Sequence, residues 1–268
     1  MDIYPVIVCI AKMEHDYIEE FVKYHLALGF KHIYLYDNED EANSYNEILK
    51  NYMDNVTITH LPGFNNVYSV LGVMLHYFRL KIIPENIDKI THAIHIDLDE
   101  FIVLKKHKNI CDFIKDYIKD DCSAIAMNWR FFGSSGHKHQ TNEPLTQRFT
   151  KCEEKGNFHV KVLFDIKKFK HYITPHYIEL SSGYTKTTNG DIVEGSFNHN
   201  IVFDVIQLNH YKCKTLEEYK KIRPRGRVDQ NTIEGYIAYI SADAEEDFKH
   251  YDLNEIEELT AMNFYKNI

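Results

Sequence analysis

Short, continuous apolar runs rich in β-branched residues alternate, in the first hundred residues, with segments whose apolar positions recur at helical spacing. Continuous runs of this kind are typical of strands buried on both faces. The alternation predicts an α/β fold with a mixed, mostly parallel sheet and helices on both of its faces. The predicted strands are residues 6–11, 32–36, 56–60 and 93–98, and the predicted helices are residues 14–29, 42–53 and 66–83.

The pattern continues less regularly through the rest of the chain. Residues 123–129 and 201–211 predict two further strands. Thr215-x-x-Glu218 and Asp252-x-x-Glu255 have the spacing of helix-starting capping boxes. We therefore expect one domain over residues 1–231, followed by a tail of acidic amphipathic helices, residues 232–268, that packs on the domain.

Composition narrows the function classes. The 268 residues carry 31 basic and 40 acidic side chains, for a formal charge of −9, and no Lys/Arg block, which argues against a nucleic-acid-binding face. Five scattered cysteines form neither a disulfide framework nor a C-x-x-C zinc site, which favours a reducing compartment. No apolar run is long enough to span a membrane and the opening residues do not resemble a signal peptide, so we expect a cytoplasmic protein.

Polar or charged residues follow each of the four predicted strands in the first hundred residues. In open α/β sheets, ligands bind in the crevice outside the carboxyl ends of the strands. We therefore expect these side chains to converge on one site, although any one of them alone is an ordinary strand end. They are Lys12 and Glu14 after the first strand, Asp37 and Asn38 after the second, His60 after the third, and Asp97 and Asp99 at the fourth.

The acidic segment HIDLDEF is the most informative of these strand ends. On a strand, Asp97 and Asp99 point to the same face while Leu98 points to the core. Two carboxylates about 4 Å apart repel by about 4 kcal/mol at an effective dielectric of about 20, so a cation is expected between them. A hard divalent ion such as Mg²⁺ or Mn²⁺, shared with phosphate oxygens, meets that need. The alternative is a solvated acidic turn.

Four stretches of the chain occur together in a fixed order: IAKMEHDYIEEFVKYHLALGFKHIYLYDN, HIDLDEFI, WRFFGSSGH, and LNHYKCKTLEEY with a nearby RGRVD. Together they resemble the GT-A-fold glycosyltransferases of the family 2 and family 92 type, over about residues 3–231. Two departures stand out: Met13 occupies a position where the family usually has Asn, and Gln147 precedes Arg148 and Phe149 where the family often has Glu.

The resemblance implies a nucleotide-sugar site and a metal site. It places Ala11, Lys12 and Glu14 at the base of the nucleotide, Asp37 and Asn38 at the base and ribose, and Asp97 at the ribose or the metal. Asp99 would bind Mn²⁺ (or Mg²⁺) directly, and His210 would complete the metal site. Imidazole and carboxylate form a reasonable ligand set for Mn²⁺.

The remaining candidate residues serve the leaving group and the acceptor. Trp129, the only tryptophan, and His137 are assigned to the acceptor, although a tryptophan at a strand end is also an ordinary core residue. Asp229 is the candidate catalytic base, with Glu143 as the alternative. The cations expected at the diphosphate are Lys161, Arg223, Arg225 and Arg227.

The predicted metal site, taken together with the resemblance, implies a metal-dependent glycosyltransferase. It would move a sugar from a UDP-sugar to a hydroxyl of a glycan, protein or small-molecule acceptor, with inversion; the nucleotide and the inversion follow from the resemblance. We expect no nucleic-acid partner and no membrane span, and the C-terminal helices leave open a homo-oligomer formed through them. A non-catalytic nucleotide-sugar-binding protein and a metal-dependent phosphoesterase are the alternatives.

Overall fold

The computed structural model describes residues 2–63, 70–226 and 232–268. The elements in these residues are β1 (Pro5–Ala11), α1 (Ile18–Ala27), β2 (His32–Asp37), β3 (Val56–His60), α2 (Val70–Tyr77), α3 (Ile83–Glu85), β4 (His92–His95), β5 (Glu100–Leu104), α4 (Ile110–Tyr117), β6 (Cys122–Phe131), α5 (Leu145–Arg148), β7 (Lys151–Cys152), β8 (Val160–Asp165), β9 (Phe169–Thr174), β10 (Tyr177–Leu180), β11 (Tyr184–Lys186), β12 (Ile206–His210), α6 (Leu216–Ile222), α7 (Ile233–Ser241), α8 (Ala244–Lys249), β13 (Ile256–Glu257) and α9 (Thr260–Tyr265). Single turns of 3₁₀-helix lie at Lys50–Tyr52 and Arg223–Arg225, and a π-helical turn lies at Phe78–Ile82.

A nine-stranded sheet forms the centre of the described structure, in the order β3-β2-β1-β4-β8-β6-β12-β5, with β11 paired to β6. Strands β1 to β4 are parallel and lie in the order β3-β2-β1-β4, as the first four strands of a Rossmann sheet do. Strand β8 is antiparallel to both β4 and β6, and β5 is antiparallel to β12. Five of the eight pairings in this sheet are parallel, so the prediction of a mixed, mostly parallel Rossmann-like fold is confirmed.

The core lies on both faces of this sheet because β1 is apolar at every position. Ile7 and Cys9 pack with α1 and α4 on one face. Val6 and Val8 pack with α2 on the other. Alternate side chains of a strand point to opposite faces, so a continuous apolar run requires helices on both sides.

Helix α1 ends where the sequence predicts. Gly29 follows it with a φ of 108°, a left-handed conformation that glycine adopts without strain, and its N–H donates to the carbonyl of Leu26. The chain can therefore turn directly from α1 towards β2.

The predicted helix at residues 42–53 is wrong. The segment forms turns that end in the 3₁₀ turn Lys50–Tyr52. Asn43 is left-handed, with a φ of 67°, and the side chains of Ser44 and Asn46 bond locally to Glu41 and Asn43. Such side-chain hydrogen bonds offer the backbone an alternative to the helix, while the apolar residues Tyr45 and Leu49 still reach the core.

Two further element boundaries differ from the prediction. The helix predicted at residues 66–83 is interrupted after Tyr77 by the π-helical turn, and residues 64–69 lie outside the described part of the chain. The fourth strand ends at His95, so Asp97 and Asp99 follow the strand and do not lie on it. The premise that strand alternation aims both carboxylates at one face was therefore wrong.

The C-terminal segment contacts the domain through apolar and polar groups. The Phe264 ring of α9 lies 4.9 Å from the Tyr24 ring, and β13 pairs with β7. Thr215 starts α6 with the predicted capping box, whereas no helix starts at Asp252. Instead, Asp252 accepts a hydrogen bond from the N–H of Ser134 at 2.6 Å. None of the helices in the described ranges combines the length and apolar character needed to cross a bilayer.

Candidate functional site

A cavity of about 700 Å³ opens at the carboxyl ends of β1 and β2. Parallel strands deliver their carboxyl ends to one edge of the sheet, which is why residues distant in sequence meet there. Its charged, polar and aromatic lining consists of Lys12, Glu14, Asn38, Asp40, Asp97, Asp99, Trp129, Lys161, His176, His210, Lys212, Tyr219, Arg225, Tyr236 and Tyr239.

Asp97 lies beside a buried lysine. Its Oδ2 is 3.0 Å from Nζ of Lys161 on β8, and its Oδ1 is 3.8 Å from Nε2 of His95. Burial opposes ionisation of this carboxyl, but the cation of Lys161 outweighs it and lowers the pKa of Asp97 to about 2. Asp97 is therefore ionised at neutral pH, and Lys161 is the cation that compensates it.

Glu100 is a further member of this buried cluster. Its Oε2 accepts a hydrogen bond from the N–H of Asp97 at 2.9 Å and lies 3.5 Å from Nζ of Lys161. Burial raises the pKa of Glu100 well above its usual range, with Lys161 opposing the shift. The third carboxylate of HIDLDEF thus holds the backbone and Lys161 in place and does not line the cavity.

Asp99 lies beside His210, the residue that the resemblance places in the same site. Oδ1 of Asp99 is 3.5 Å from Nε2 of His210. The pairing of β12 with β5 sets this contact, because the N–H of Tyr211 donates to the carbonyl of Asp99 at 2.8 Å. Burial opposes the charge of Asp99, but His210, Lys214 and Arg225 outweigh it and hold the pKa of Asp99 below its usual range.

These residues fit a divalent ion that takes some of its ligands from the protein and the others from a bound substrate. The described part of the chain contains no group of three or more His, Cys, Asp or Glu side chains that could hold a metal ion unaided. Asp99 and His210 nevertheless offer one carboxylate and one imidazole to the cavity, and Nδ1 of His210 is buried without a hydrogen-bond partner in the described structure. Mg²⁺ and Mn²⁺ commonly take one or two carboxylates plus phosphate oxygens.

Arg225 reaches the cavity from the 3₁₀ turn after α6. It forms an ion pair with Glu14 and donates to the carbonyl of Lys12 at 2.9 Å. Arg223 faces away from the cavity, bonded to Asp247 at 2.6 Å. Arg227 and the proposed base Asp229 lie outside the described residues.

The residues predicted to bind the nucleotide divide into lining and supporting positions. Lys12, Glu14 and Asn38 line the cavity. Ala11 and Asp37 are fully buried and lie outside its lining. Asp37 supports the site indirectly, because its Oδ1 accepts from the N–H of Glu39 at 3.0 Å.

The two predicted acceptor residues differ in position. Trp129 lines the cavity, with its ring 4.5 Å from that of His210. His137 is exposed and lies outside the lining, with its ring 5.9 Å from Phe149. Backbone N–H groups of the intervening GSSG segment bond to Asp252 and Asn254, so this loop contacts the C-terminal segment.

The sequence did not indicate several lining residues. Lys212 lies two residues after His210 and could have been found from that spacing. His176, Tyr236 and Tyr239 come from the turn between β9 and β10 and from α7, and no motif marks them. Gln147 lies on α5, away from the lining, so its departure from the family pattern does not alter the described cavity.

Comparisons with known proteins bear on the family. Residues 4–80 match the model of glycosyltransferase family 92. No curated protein sequence matches the chain. The chain is similar to the S. aureus TarS crystal structure at 14% identity and a TM-score of 0.37, covering 61% of this chain and 28% of that chain. The chain thus spans less than a third of the length of that TarS chain.

Two further solved structures show a comparable level of similarity. TarS 1-349 from S. aureus in complex with UDP has 14% identity and a TM-score of 0.36, covering 61% of this chain and 47% of that chain. HddC from Yersinia pseudotuberculosis has 10% identity and a TM-score of 0.36, covering 66% of this chain and 83% of that chain.

The family match begins just before β1 and ends in the helical segment that follows β3, so it covers the strands whose carboxyl ends open onto the cavity. This part of the chain is therefore similar to the glycosyltransferases of family 92.

Proposed function

We propose that the cavity binds a UDP-sugar with a divalent cation, Mn²⁺ or Mg²⁺, and transfers the sugar to an acceptor hydroxyl with inversion. The observation that carries the proposal is the Asp99–His210 pair, with an N···O distance of 3.5 Å, beside Asp97 in a cavity at the ends of β1 and β2. The nucleotide and the stereochemistry come from the family resemblance.

Sugar transfer develops negative charge on the departing diphosphate, and the site must neutralise it. When bound, the metal ion would supply most of that neutralisation, with Asp99 and His210 holding it. Arg225 and Lys212, which line the cavity, would add to it. Arginine's planar group suits phosphate oxygens, although Arg225 must exchange its pairing with Glu14 to bind one.

Lys161 has a different role from the one the sequence suggested. Because its Nζ is buried between Asp97 and Glu100, it holds these carboxylates in position and keeps Asp97 ionised. The proposed role of Asp97 is then to accept hydrogen bonds from the ribose or to contact the metal. Asp229 is proposed as the base that takes the acceptor proton.

The phosphoesterase alternative is less favoured. Two-metal hydrolytic sites need several carboxylates around the ions. No such group of three or more ligating side chains occurs in residues 2–63, 70–226 and 232–268. The described residues therefore offer no set of carboxylates that would hold two ions in the absence of a substrate.

Nucleotide release tests the proposed function. The protein is incubated with Mn²⁺ and a panel of UDP- and GDP-sugars, with and without glycan acceptors, and free nucleotide is measured. We expect release of UDP that depends on acceptor, and a UDP-induced rise in melting temperature that requires Mn²⁺. Asp99→Asn should abolish both.

The matched control is Asp204→Asn, which removes the same charge from an exposed residue that pairs with Lys106. This variant should behave like the wild type. Acceptor-independent nucleotide release would indicate hydrolysis, and a melting shift that is the same with and without Mn²⁺ would contradict the metal site.

A further inference from the structure

Aromatic and histidine rings extend from the cavity across the adjacent surface. The rings of Trp129 and His159 stack, with centroids 5.0 Å apart and planes inclined by 21°. The His159 ring lies 4.8 Å from that of Phe197, and Phe158 lies 5.4 Å from Phe197 and 5.3 Å from His199. We refer to Trp129, His159, Phe158, Phe197 and His199 as the ring track.

The outer part of the ring track exposes two phenylalanine rings side by side. Phe158 is 41% exposed and Phe197 is 49% exposed, and their rings are in contact. Scattered exposed apolar residues are ordinary, but contiguous exposed aromatic rings mark surfaces that bind something. The outer part of the ring track is therefore a candidate binding surface.

Buried hydrogen bonds hold the outer rings in place. Asn198, next to Phe197, is buried, and its Nδ2 donates to Oδ1 of Asn128 at 2.9 Å. In return, Nδ2 of Asn128 donates to the carbonyls of Asn198 at 3.0 Å and Asn157 at 3.1 Å. Because both segments that carry phenylalanines are fixed to one buried amide pair, the surface is formed before any ligand binds.

The inner part of the ring track is continuous with the proposed catalytic site. Trp129 lines the cavity, where its ring lies 4.5 Å from His210 and 5.0 Å from His176. Its Nε1 is buried and has no hydrogen-bond partner in the described structure. An indole N–H can only donate, so a ligand oxygen at this position would satisfy it.

We propose that the ring track binds an oligosaccharide acceptor, with the terminal sugar at Trp129 and further sugars over Phe158 and Phe197. Pyranose rings present apolar C–H faces to aromatic side chains, and their hydroxyls accept and donate hydrogen bonds at His159 and His199. Nucleic-acid bases also stack on aromatic rings, but they require a positively charged groove, and the chain carries a formal charge of −9. This inference rests on the proposed function.

Trp129 gives the test a direct signal because it is the only tryptophan in the chain. Lactose, cellotriose and chitotriose serve as probes, and intrinsic tryptophan fluorescence is recorded against the concentration of each. We expect at least one trisaccharide to change the emission and to bind more tightly than the disaccharide. The double variant Phe158→Ser/Phe197→Ser should weaken that binding about tenfold, or about 1.4 kcal/mol.

The control is Tyr184→Ser on β11, which removes a ring that is 49% exposed and lies outside the ring track. It should bind the sugars as the wild type does. Unchanged trisaccharide binding in the double variant would overturn the proposal, as would a panel in which no sugar alters the emission.

The two proposals fail in different ways. The rise in melting temperature that UDP causes in the presence of Mn²⁺ is recorded for the same variants. This rise should be the same as in the wild type, because Phe158 and Phe197 are outside the cavity lining. A UDP shift without any sugar binding would overturn the ring track alone. Sugar binding without a UDP shift would overturn the donor site and leave the ring track supported.

Discussion

Met13 adopts a left-handed backbone conformation, with a φ of 57°, at the point where β1 opens into the cavity. Its N–H donates to the carboxylate of Glu39, which fixes the turn. A residue with a Cβ is strained in this region by about 1 to 2 kcal/mol, and asparagine tolerates it better. The asparagine that the resemblance leads us to expect at this position would therefore be less strained than Met13.

The strain predicts that Met13→Asn stabilises the protein by about 0.5 to 1 kcal/mol. Urea denaturation measures the free energy of unfolding. Met53→Asn is the control, because Met53 is similarly exposed but has a φ of −61°. An equal gain in both variants would contradict an explanation based on backbone strain.

Lys161 is the second residue on which the site depends. It is buried with Asp97 and Glu100, so removing its charge leaves carboxylates in the interior without their cation. Lys161→Met is expected to destabilise the protein by about 3 to 5 kcal/mol, as breaking a buried ion pair does. The double variant Lys161→Met/Asp97→Asn should recover part of that loss.

The control for this prediction is Lys186→Met, which breaks the exposed ion pair with Asp121 and should change stability by about 1 kcal/mol or less. Free energies from urea unfolding compare all the variants. A loss at Lys161 no larger than the loss at Lys186 would show that the buried cluster is not coupled as described.

At the scale of elements, helix α6 connects the strand that carries His210 to the turn that carries Arg225. Its start is fixed by a complete capping box: Thr215 accepts from the N–H of Glu218, and the Glu218 side chain accepts from the N–H of Thr215. Glu218 also pairs with Arg148, with an N···O distance of 2.7 Å in the interior. The start of α6 is therefore tied to α5 as well.

The N-caps of α6 and α7 predict different losses in the free energy of unfolding when they are removed. Thr215→Val should cost about 2 kcal/mol, because the cap is buried and shares Glu218 with Arg148. Thr232→Val at the start of α7 should cost about 0.5 kcal/mol, because that cap is exposed and accepts from the N–H of Gly235 without a buried ion pair beside it in the described residues. Thermal and urea unfolding measure both, and equal costs would contradict the role of burial.

At the scale of the whole molecule, the site is assembled from segments far apart in sequence. Asp99 follows β4, whereas His210 ends β12, and these strands are separated in the sheet by β8 and β6. Their approach depends on β5 returning antiparallel beside β12. The proposed metal site is therefore a property of the folded sheet.

Because the proposed metal site needs both Asp99 and His210, we expect sugar transfer to depend on each of them. His210→Gln should lower kcat by at least about 100-fold at fixed Mn²⁺, and EDTA should remove the activity of the wild type. Acceptor-dependent release of UDP is the measurement. His139→Gln, at an exposed histidine, is the control. Wild-type activity that persists in EDTA would contradict metal dependence.

Local sequence determined β1, β2, β3 and α1, because continuous apolar runs and a glycine after a helix have few alternative conformations. The turns at residues 42–53 escaped prediction because short polar side chains competed with the helix through local hydrogen bonds. The end of β4 at His95 escaped for a different reason. The turn that follows it, in which the N–H of Glu100 donates to the carbonyl of Asp97, contains no glycine or proline to mark it.

The sequence alone determined that Asp97, Asp99 and Asn38 would meet near strand ends, because parallel strands share an edge. Tertiary structure decided which charges pair: Lys161 with Asp97, and Arg225 with Glu14. It also decided that His137 would lie outside the cavity. Such pairings depend on which distant segments pack together, and a pattern of local spacing carries no information about them.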